Sequence, residues 1–169
     1  MFDEAAIARE IVVRYTLPLR GDHGIAHWAR VRDNGQRLAL VTGADLDVVT
    51  LFALFHDACR ENEFDDPSHG ARGAALARSF QGTFLQLSSA RLALLEQACR
   101  EHAAGLLTDD PTLGACWDAD RLDLARVGIS PRSERLCTMA AHDLLPWADE
   151  RARSGHVPAW LEHGWGVSF

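Results

Sequence analysis

The residues of this chain best suited to chemistry are histidines and aspartates that stand within apolar segments. His56 and Asp57 lie side by side at the end of a strongly apolar stretch, LFALF. Burying an imidazole and a carboxylate without partners costs several kcal/mol, whereas a divalent cation would use both groups as ligands. The alternative is a hydrogen-bonded structural histidine beside an aspartate that caps a neighbouring helix.

Further candidate ligands lie on both sides of this pair in the sequence. His23 and His27 are four residues apart, so both can face one direction at the start of a helix. Asp120 lies in a later apolar segment. Histidine and aspartate ligands on three separate helices are typical of a metal site in a bundle core. Such a ligand set, without thiolate, suits manganese, iron, cobalt, nickel or zinc better than calcium.

The elements that must position these residues read as helices nearly throughout. Apolar residues recur at spacings of three and four, which predicts an all-α fold, a compact bundle of about six to eight helices with the metal site in its core. Pro18 ends the first segment, the second runs from about Gly24 to Gly43, and Asp45 can cap a third, central helix.

The second half of the chain is less clearly divided. Residues 133–152 predict one helix broken near Pro146, or two helices. The last stretch, from Trp160 to Phe169, is rich in aromatic area, so we expect it to pack on the bundle or on a second subunit, and a homodimer is possible on this ground. The length of 169 residues predicts a single domain, 1–169, with its motif core at about 23–128 and C-terminal helices in 131–169 packing on that core.

Composition excludes several classes of function. All 17 basic residues are arginine, so chemistry that needs a lysine amine is excluded. The formal net charge of -7 argues against binding a nucleic-acid polymer, and no apolar run approaches the ~20 residues that span a membrane. The first ten residues have no basic region before an apolar core, and the four cysteines form no CxxC pair. We therefore expect a cytoplasmic, bacterial protein with reduced thiols.

The order of these motifs resembles the HD superfamily of metal-dependent phosphohydrolases. His27 in HWARV, the doublet His56-Asp57 in LFALFHDACRE and Asp120 in DADRLD match the family's His, His-Asp, Asp order, and the resemblance covers about residues 23–128. It implies an all-α HD domain in which these four residues hold the metal. It also implies hydrolysis of a small phosphomonoester or phosphodiester, a nucleotide above all, by a metal-activated water.

Roles for other residues follow from the resemblance and from position in the sequence. Arg60 lies one turn after the doublet and Arg121 adjoins Asp120, so we expect both to act in catalysis together with Asp57. Glu61 or Glu63 could serve as a general base. The residues expected to contact substrate are His23, His69, Arg72 and His102.

The number of ions and the reaction class each leave alternatives open. One ion is favoured, with His69 and His102 reaching substrate phosphate or a metal-bound water. With two ions, Asp57 would bridge them and these histidines would complete the second. The rival functions are an HD-type di-iron oxygenase and a non-catalytic metal-binding regulatory module. Asp123 either orients a ligand or is solvated, whereas the helical angle predicts that Asp118 points away from Asp120. The histidines at 142, 156 and 163 are expected to lie at the surface or to pack against other side chains.

Overall fold

The computed structural model describes residues 2–168 and is all-α, as the periodicity predicts. The described chain contains isolated β-bridges but no strand. No helix in it is long and apolar enough to cross a membrane. The helices are α1 Glu4–Arg14, α2 Ile25–Thr42, α3 Leu46–Phe55, α4 His69–Phe80, α5 Ser89–Glu101, α6 Pro111–Arg121, α7 Met139–Arg153 and α8 Leu161–Trp165, with 3-10 turns at His102–Ala104, Leu124–Val127 and Ser133–Arg135.

The helix ends that surround the site follow local chemistry. Gly24 precedes α2, and Gly43 ends it in the left-handed region with a φ of 74°. The Asp45 side chain accepts hydrogen bonds from the amides of Asp47 and Val48 and so caps α3. The predicted boundaries of these two helices are therefore confirmed, which fixes the ends that carry His27 and the His56-Asp57 doublet.

The central position expected for α3 is also confirmed. Every residue from Val48 to Phe55 is buried, and the helix contacts α1, α2, α4, α5 and α6. Thr50 is the single polar residue between Val48 and Phe55, so the polar doublet enters the core where this apolar helix ends. His56 caps that end and Asp57 follows in a turn, which explains why the doublet lies at the centre of the molecule.

Helix α4 approaches the ends of α3 and α5 unusually closely because two glycines face them. A Cβ atom at Gly73 would lie 2.2 Å from the carbonyl oxygen of Phe55, and one at Gly70 would lie 2.3 Å from that of Cys99. No side chain fits at either position without movement of the backbone. The two glycines therefore set the distance between α4 and the residues that follow α3 and α5.

The C-terminal third differs from the prediction at its start. Residues 133–135 form a 3-10 turn, and α7 begins only at Met139 and continues through Pro146 as one helix. The amide N–H groups of Cys137 and Thr138 just before α7 are held by the Asp118 carboxylate, a long-range contact that periodicity does not reveal. Trp165 and Leu161 are buried where α8 packs on α1, which confirms the expected packing of the tail, whereas Phe169 lies outside the described residues.

Candidate metal centre

Six imidazole and carboxylate side chains meet at the core of the bundle. They come from α2, the end of α3, the start of α4, the turn after α5 and the end of α6. All but Asp120 are nearly inaccessible to solvent. The six are His27, His56, Asp57, His69, His102 and Asp120.

The first cluster unites the four residues that the motif order singles out as ligands. The Nε2 atoms of His27 and His56 are 3.1 Å apart. The Oδ2 atom of Asp57 lies 3.5 Å from the first and 3.6 Å from the second. The Oδ1 atom of Asp120 lies 3.4 and 3.9 Å from the same two nitrogens. Both aspartates thus have an oxygen close to the same pair of histidine nitrogens, and the group whose ligand atoms all lie within 4.8 Å of one another consists of His27, His56 and Asp57.

The second cluster lies on the other oxygen of Asp57. Its Oδ1 atom is 3.2 Å from His69 Nε2 and 3.7 Å from His102 Nε2, and these two nitrogens are 2.9 Å apart. The two histidines that were expected at the substrate therefore contact the central carboxylate directly. His102 reaches it because α5 ends at the same side of the bundle as α3.

Hydrogen bonds fix which nitrogen of each histidine faces the centre. Every Nδ1 atom has an oxygen partner: His27 has Asp123 Oδ2 at 2.7 Å, His56 has the Phe52 carbonyl at 3.1 Å and His102 has the Cys99 carbonyl at 2.7 Å. His69 Nδ1 donates in the same way to the Asp66 carbonyl. An Nδ1 that donates its proton leaves a neutral imidazole with a lone pair on Nε2.

Four Nε2 atoms consequently converge on Asp57. Lone pairs that face each other at 2.9 and 3.1 Å repel unless a proton or a cation lies between them. The Oδ1 atom of Asp57 is buried and has no hydrogen-bond partner among residues 2–168. Buried, unpartnered acceptors of this kind are costly in a folded protein, and a cation satisfies all of them together.

The protonation states of His56, Asp57 and Asp120 also suit metal binding. Burial lowers the pKa of His56 to about 3, so its ring is neutral at pH 7. Burial alone would raise the pKa of Asp57, but His56 and the contacts with His102 and His27 hold that pKa well below its usual range. The same histidines outweigh burial at Asp120 and lower its pKa to about 2. The metal-free centre therefore presents ionised carboxylates, the form that binds cations.

The spacing of the donor atoms fits a cation in each cluster. Two groups can each hold a metal ion, His27 with His56 and Asp57, and Asp57 with His69 and His102, and the ligand atoms of each lie within 4.8 Å of one another. Donors bound at about 2.1 Å to one ion lie about 3.0–3.4 Å apart, close to most of the observed separations. The residues thus fit a metal, and Asp57 belongs to both groups.

A second layer of contacts holds His27 in place. Asp123 accepts the His27 Nδ1 proton and is also bound by Arg30 through Nε at 2.7 Å and Nη2 at 3.0 Å. Of the two alternatives for Asp123, the structure shows the orienting one, and the carboxylate is buried. Arg30 had not been singled out from the sequence, although it follows His27 by three residues and so lies on the same side of α2.

The neighbouring Asp118 points away from the centre, as the helical angle predicts. Its oxygens accept from the Cys137 amide at 2.8 Å, the Thr138 amide at 2.8 Å and the Thr138 hydroxyl at 2.9 Å. Asp118 therefore organises the start of α7, while Asp123 orients His27, a candidate metal ligand.

A cleft of about 400 Å³ opens beside Asp57, His69, His102 and Asp120. His23 lies in its wall, and His23 Nδ1 is 2.5 Å from Glu63 Oε2. Arg126, which the sequence analysis had not singled out, lines the cleft with its guanidinium 4.0 Å from Asp120. It comes from the 3-10 turn after α6, so only the tertiary fold brings it to the site.

The predicted arginines are placed differently from one another. Arg60 lines the cleft, and its Nη1 atom is 3.6 Å from Asp57 Oδ1. Arg121 also borders it, but its guanidinium donates to the carbonyls of Arg135 at 2.8 Å and Leu106 at 2.6 Å. Arg72 is not part of the cleft lining; it binds the Asp66 carboxylate and the Cys59 carbonyl.

Other polar residues lie outside the two clusters. Glu61 is exposed and 3.6 Å from Arg72, which leaves Glu63 as the carboxylate that meets His23. The histidines at 142, 156 and 163 belong to neither group of possible ligands. The four cysteines are free, and burial raises the pKa of the Cys59, Cys99, Cys116 and Cys137 thiols, so none is activated as a thiolate.

Comparisons with protein-family models, with curated protein sequences and with solved structures find no match for this chain. The geometry of the centre and its cleft is therefore the structural basis for assigning a function.

Proposed function

We propose that this protein is a metal-dependent phosphohydrolase of the HD type that acts on a small phosphomonoester or phosphodiester. The observation that carries the proposal is the convergence of four Nε2 atoms on the two oxygens of a single buried aspartate. The HD motif order noted in the sequence supports the same assignment.

We infer that the centre holds two divalent ions rather than the single ion that the sequence analysis favoured. His27 and His56 lie beside Oδ2 of Asp57, and Asp120 lies beside these two histidines, while His69 and His102 lie beside Oδ1. A carboxylate whose two oxygens face separate donor sets is suited to bridging two ions. Nitrogen and oxygen donors suit manganese, iron, cobalt, nickel or zinc.

The charge of the cleft supports a phosphate substrate. Four arginines and two aspartates line it, in a chain whose overall net charge is -7. Divalent ions bound to the aspartates would make the cleft more positive still. A local field of this sign attracts small anions and repels cations.

The residues around the centre suggest how hydrolysis proceeds. Bound divalent ions lower the pKa of water and polarise a phosphoryl oxygen. Neutral His23 donates its Nδ1 proton to Glu63, which leaves Nε2 free to accept a proton in the cleft. Burial lowers the pKa of His23, so this neutral form is favoured. Arg126 and Arg60 can neutralise charge on the phosphoryl oxygens.

The second candidate is a di-iron oxygenase, because two donor sets that share one carboxylate also suit a pair of irons. The arginines of the cleft favour the hydrolase. The proposed cellular location is the cytoplasm of a bacterium, and the four free thiols support a reducing compartment.

The test is hydrolysis of a panel of phosphomonoesters, phosphodiesters and nucleotides by manganese-reconstituted protein. We expect turnover that Asp57→Ala abolishes with little change in helix content. The exposed His163 provides the control, and His163→Ala should retain full activity. Oxygen uptake by the iron-loaded form would favour the oxygenase. A metal-loaded protein with neither activity would favour the regulatory module.

A further inference from the structure

One arginine of the cleft has a guanidinium without a hydrogen-bond or ion-pair partner among the described residues 2–168. Arg135 lines the same cleft as Asp57 and Asp120, and its side chain is exposed. Across residues 2–168, its guanidinium makes no hydrogen bond or ion pair. Its position, in the 3-10 turn before α7, is on the rim of the cleft.

The three other arginines of the cleft are already engaged. Arg60 donates to the carbonyls of Asn62 and Phe64 and lies beside Asp57. Arg126 donates to the carbonyls of Asp22 and Asp123. Arg121 holds two loop carbonyls. Arg135 is thus the guanidinium whose donors remain available to a ligand without breaking a contact.

The backbone that carries Arg135 is held from two sides. Buried Arg121 binds the Arg135 carbonyl and, through its other terminal nitrogen, the Leu106 carbonyl of the opposite loop. Two residues further along, Asp118 binds the Cys137 amide. A fixed backbone reduces the entropy lost when the side chain orders on a ligand.

We propose that Arg135 binds a second anionic group of the substrate, remote from the phosphoryl group at the metal centre. This inference rests on the proposed function and narrows the substrate to an organic phosphate that bears another negative group, such as a diphosphate or a phosphorylated carboxylic acid. A cleft of about 400 Å³ has the size of sites that enclose whole small organic ligands rather than a lone phosphate. Arg121 is then a positioning residue, because it holds the loop that presents Arg135.

The test uses two stable ligands that differ by one negative group, methylphosphonate and phosphonoacetate. Binding of each to manganese-loaded protein is measured by calorimetry for the wild type, Arg135→Ala and Arg132→Ala. Arg132 is a matched control, because it is exposed in the same segment and is absent from the cleft lining. We expect Arg135→Ala to weaken the binding of phosphonoacetate by about 10-fold or more, as for the loss of a charge-assisted hydrogen bond. The affinity for methylphosphonate should not change. Arg132→Ala should change neither.

Several results would overturn the proposal: an unchanged affinity for phosphonoacetate in Arg135→Ala, an equal loss for both ligands, the same loss in Arg132→Ala, or no binding of either ligand by the wild type. Because the measurement is binding, it separates this inference from the hydrolase assignment. If Arg135→Ala selectively weakens phosphonoacetate binding but the wild type shows no turnover, the role of Arg135 is supported and the hydrolase assignment is refuted. If the wild type turns over substrate but Arg135→Ala causes no selective loss of phosphonoacetate binding, the hydrolase assignment is supported and the role of Arg135 is refuted.

Discussion

Replacing Asp123 by asparagine should weaken metal binding without removing any metal ligand. The carboxylate accepts from His27 Nδ1 on one oxygen and from the Arg30 guanidinium on both. An amide has only one oxygen, so in either orientation its NH₂ group faces an N–H donor. His27 loses its orientation, or Arg30 loses its counter-charge.

The size of the effect follows from these contacts. Outer-shell partners of a metal-bound histidine typically contribute about 10–100-fold to metal affinity, equal to about 1.4–2.7 kcal/mol. Asp123 and Arg30 are both buried, and breaking a buried ion pair costs up to about 3–5 kcal/mol of folding stability. We therefore expect weaker manganese binding and a lower melting temperature together.

Asp118→Asn is the matched control, since Asp118 is equally buried, lies five residues away and contacts no candidate ligand. It should lower stability by about 1–2 kcal/mol through weaker capping of α7 and leave metal affinity unchanged. Competition with a chromophoric chelator gives the affinities, and urea unfolding gives the stabilities. Equal metal affinities in the two variants would refute the orienting role of Asp123.

Three further results are expected. Gly73→Ala should push α4 away from the Phe55 carbonyl oxygen, which the new Cβ atom would meet at 2.2 Å, and the cost of about 2 kcal/mol should lower the melting temperature by about 4–8 °C. Ala71→Ser, on the exposed side of α4, should leave the melting temperature unchanged. Equal melting temperatures for the two variants would show that the close approach is unimportant. In metal-free protein, the pKa of His56 is lowered to about 3, so between about pH 6.5 and 3 the unfolded chain binds a proton at this histidine that the folded chain does not. The contribution of His56 to stability is therefore complete above about pH 6.5 and declines as the pH falls toward 3. Urea unfolding should show that the free energy of unfolding of the wild type falls between pH 7 and 5 and that it falls less steeply in His56→Gln. Parallel pH dependences in the two proteins would contradict this prediction. A chelator should lower the melting temperature of metal-loaded protein, and added manganese should restore it, because the ions stabilise only the folded state; an unchanged melting temperature after the metal is removed would contradict this.

Local signals predicted the helices around the site, but not the contacts between distant segments. The glycine at 43 and the cap at Asp45 are read directly from the sequence, and periodicity makes α3 central. The four residues of the first cluster could also be identified from the sequence, because each is a polar residue in or at the end of an apolar helical segment. Their convergence then follows from the packing of α2, α3 and α6.

The positions of the other site residues depend on how the loops fold back toward the metal centre. Arg126 comes from a short turn after α6, and the role of Arg121 depends on the carbonyls of two loops that are remote in sequence. His69 could be assigned to Asp57 only once the close approach of α4, permitted by Gly70 and Gly73, was known. Spacing along the chain carries no information on these distances.

The most direct test of the two-metal centre is the number of manganese ions bound per chain at saturation. Equilibrium dialysis followed by elemental analysis should give two for the wild type and for His163→Ala. His102→Ala should retain one, because it disturbs only the cluster on Oδ1 of Asp57, and Asp57→Ala should retain fewer than His102→Ala. One ion in the wild type that persists unchanged in His102→Ala would contradict the two-metal centre.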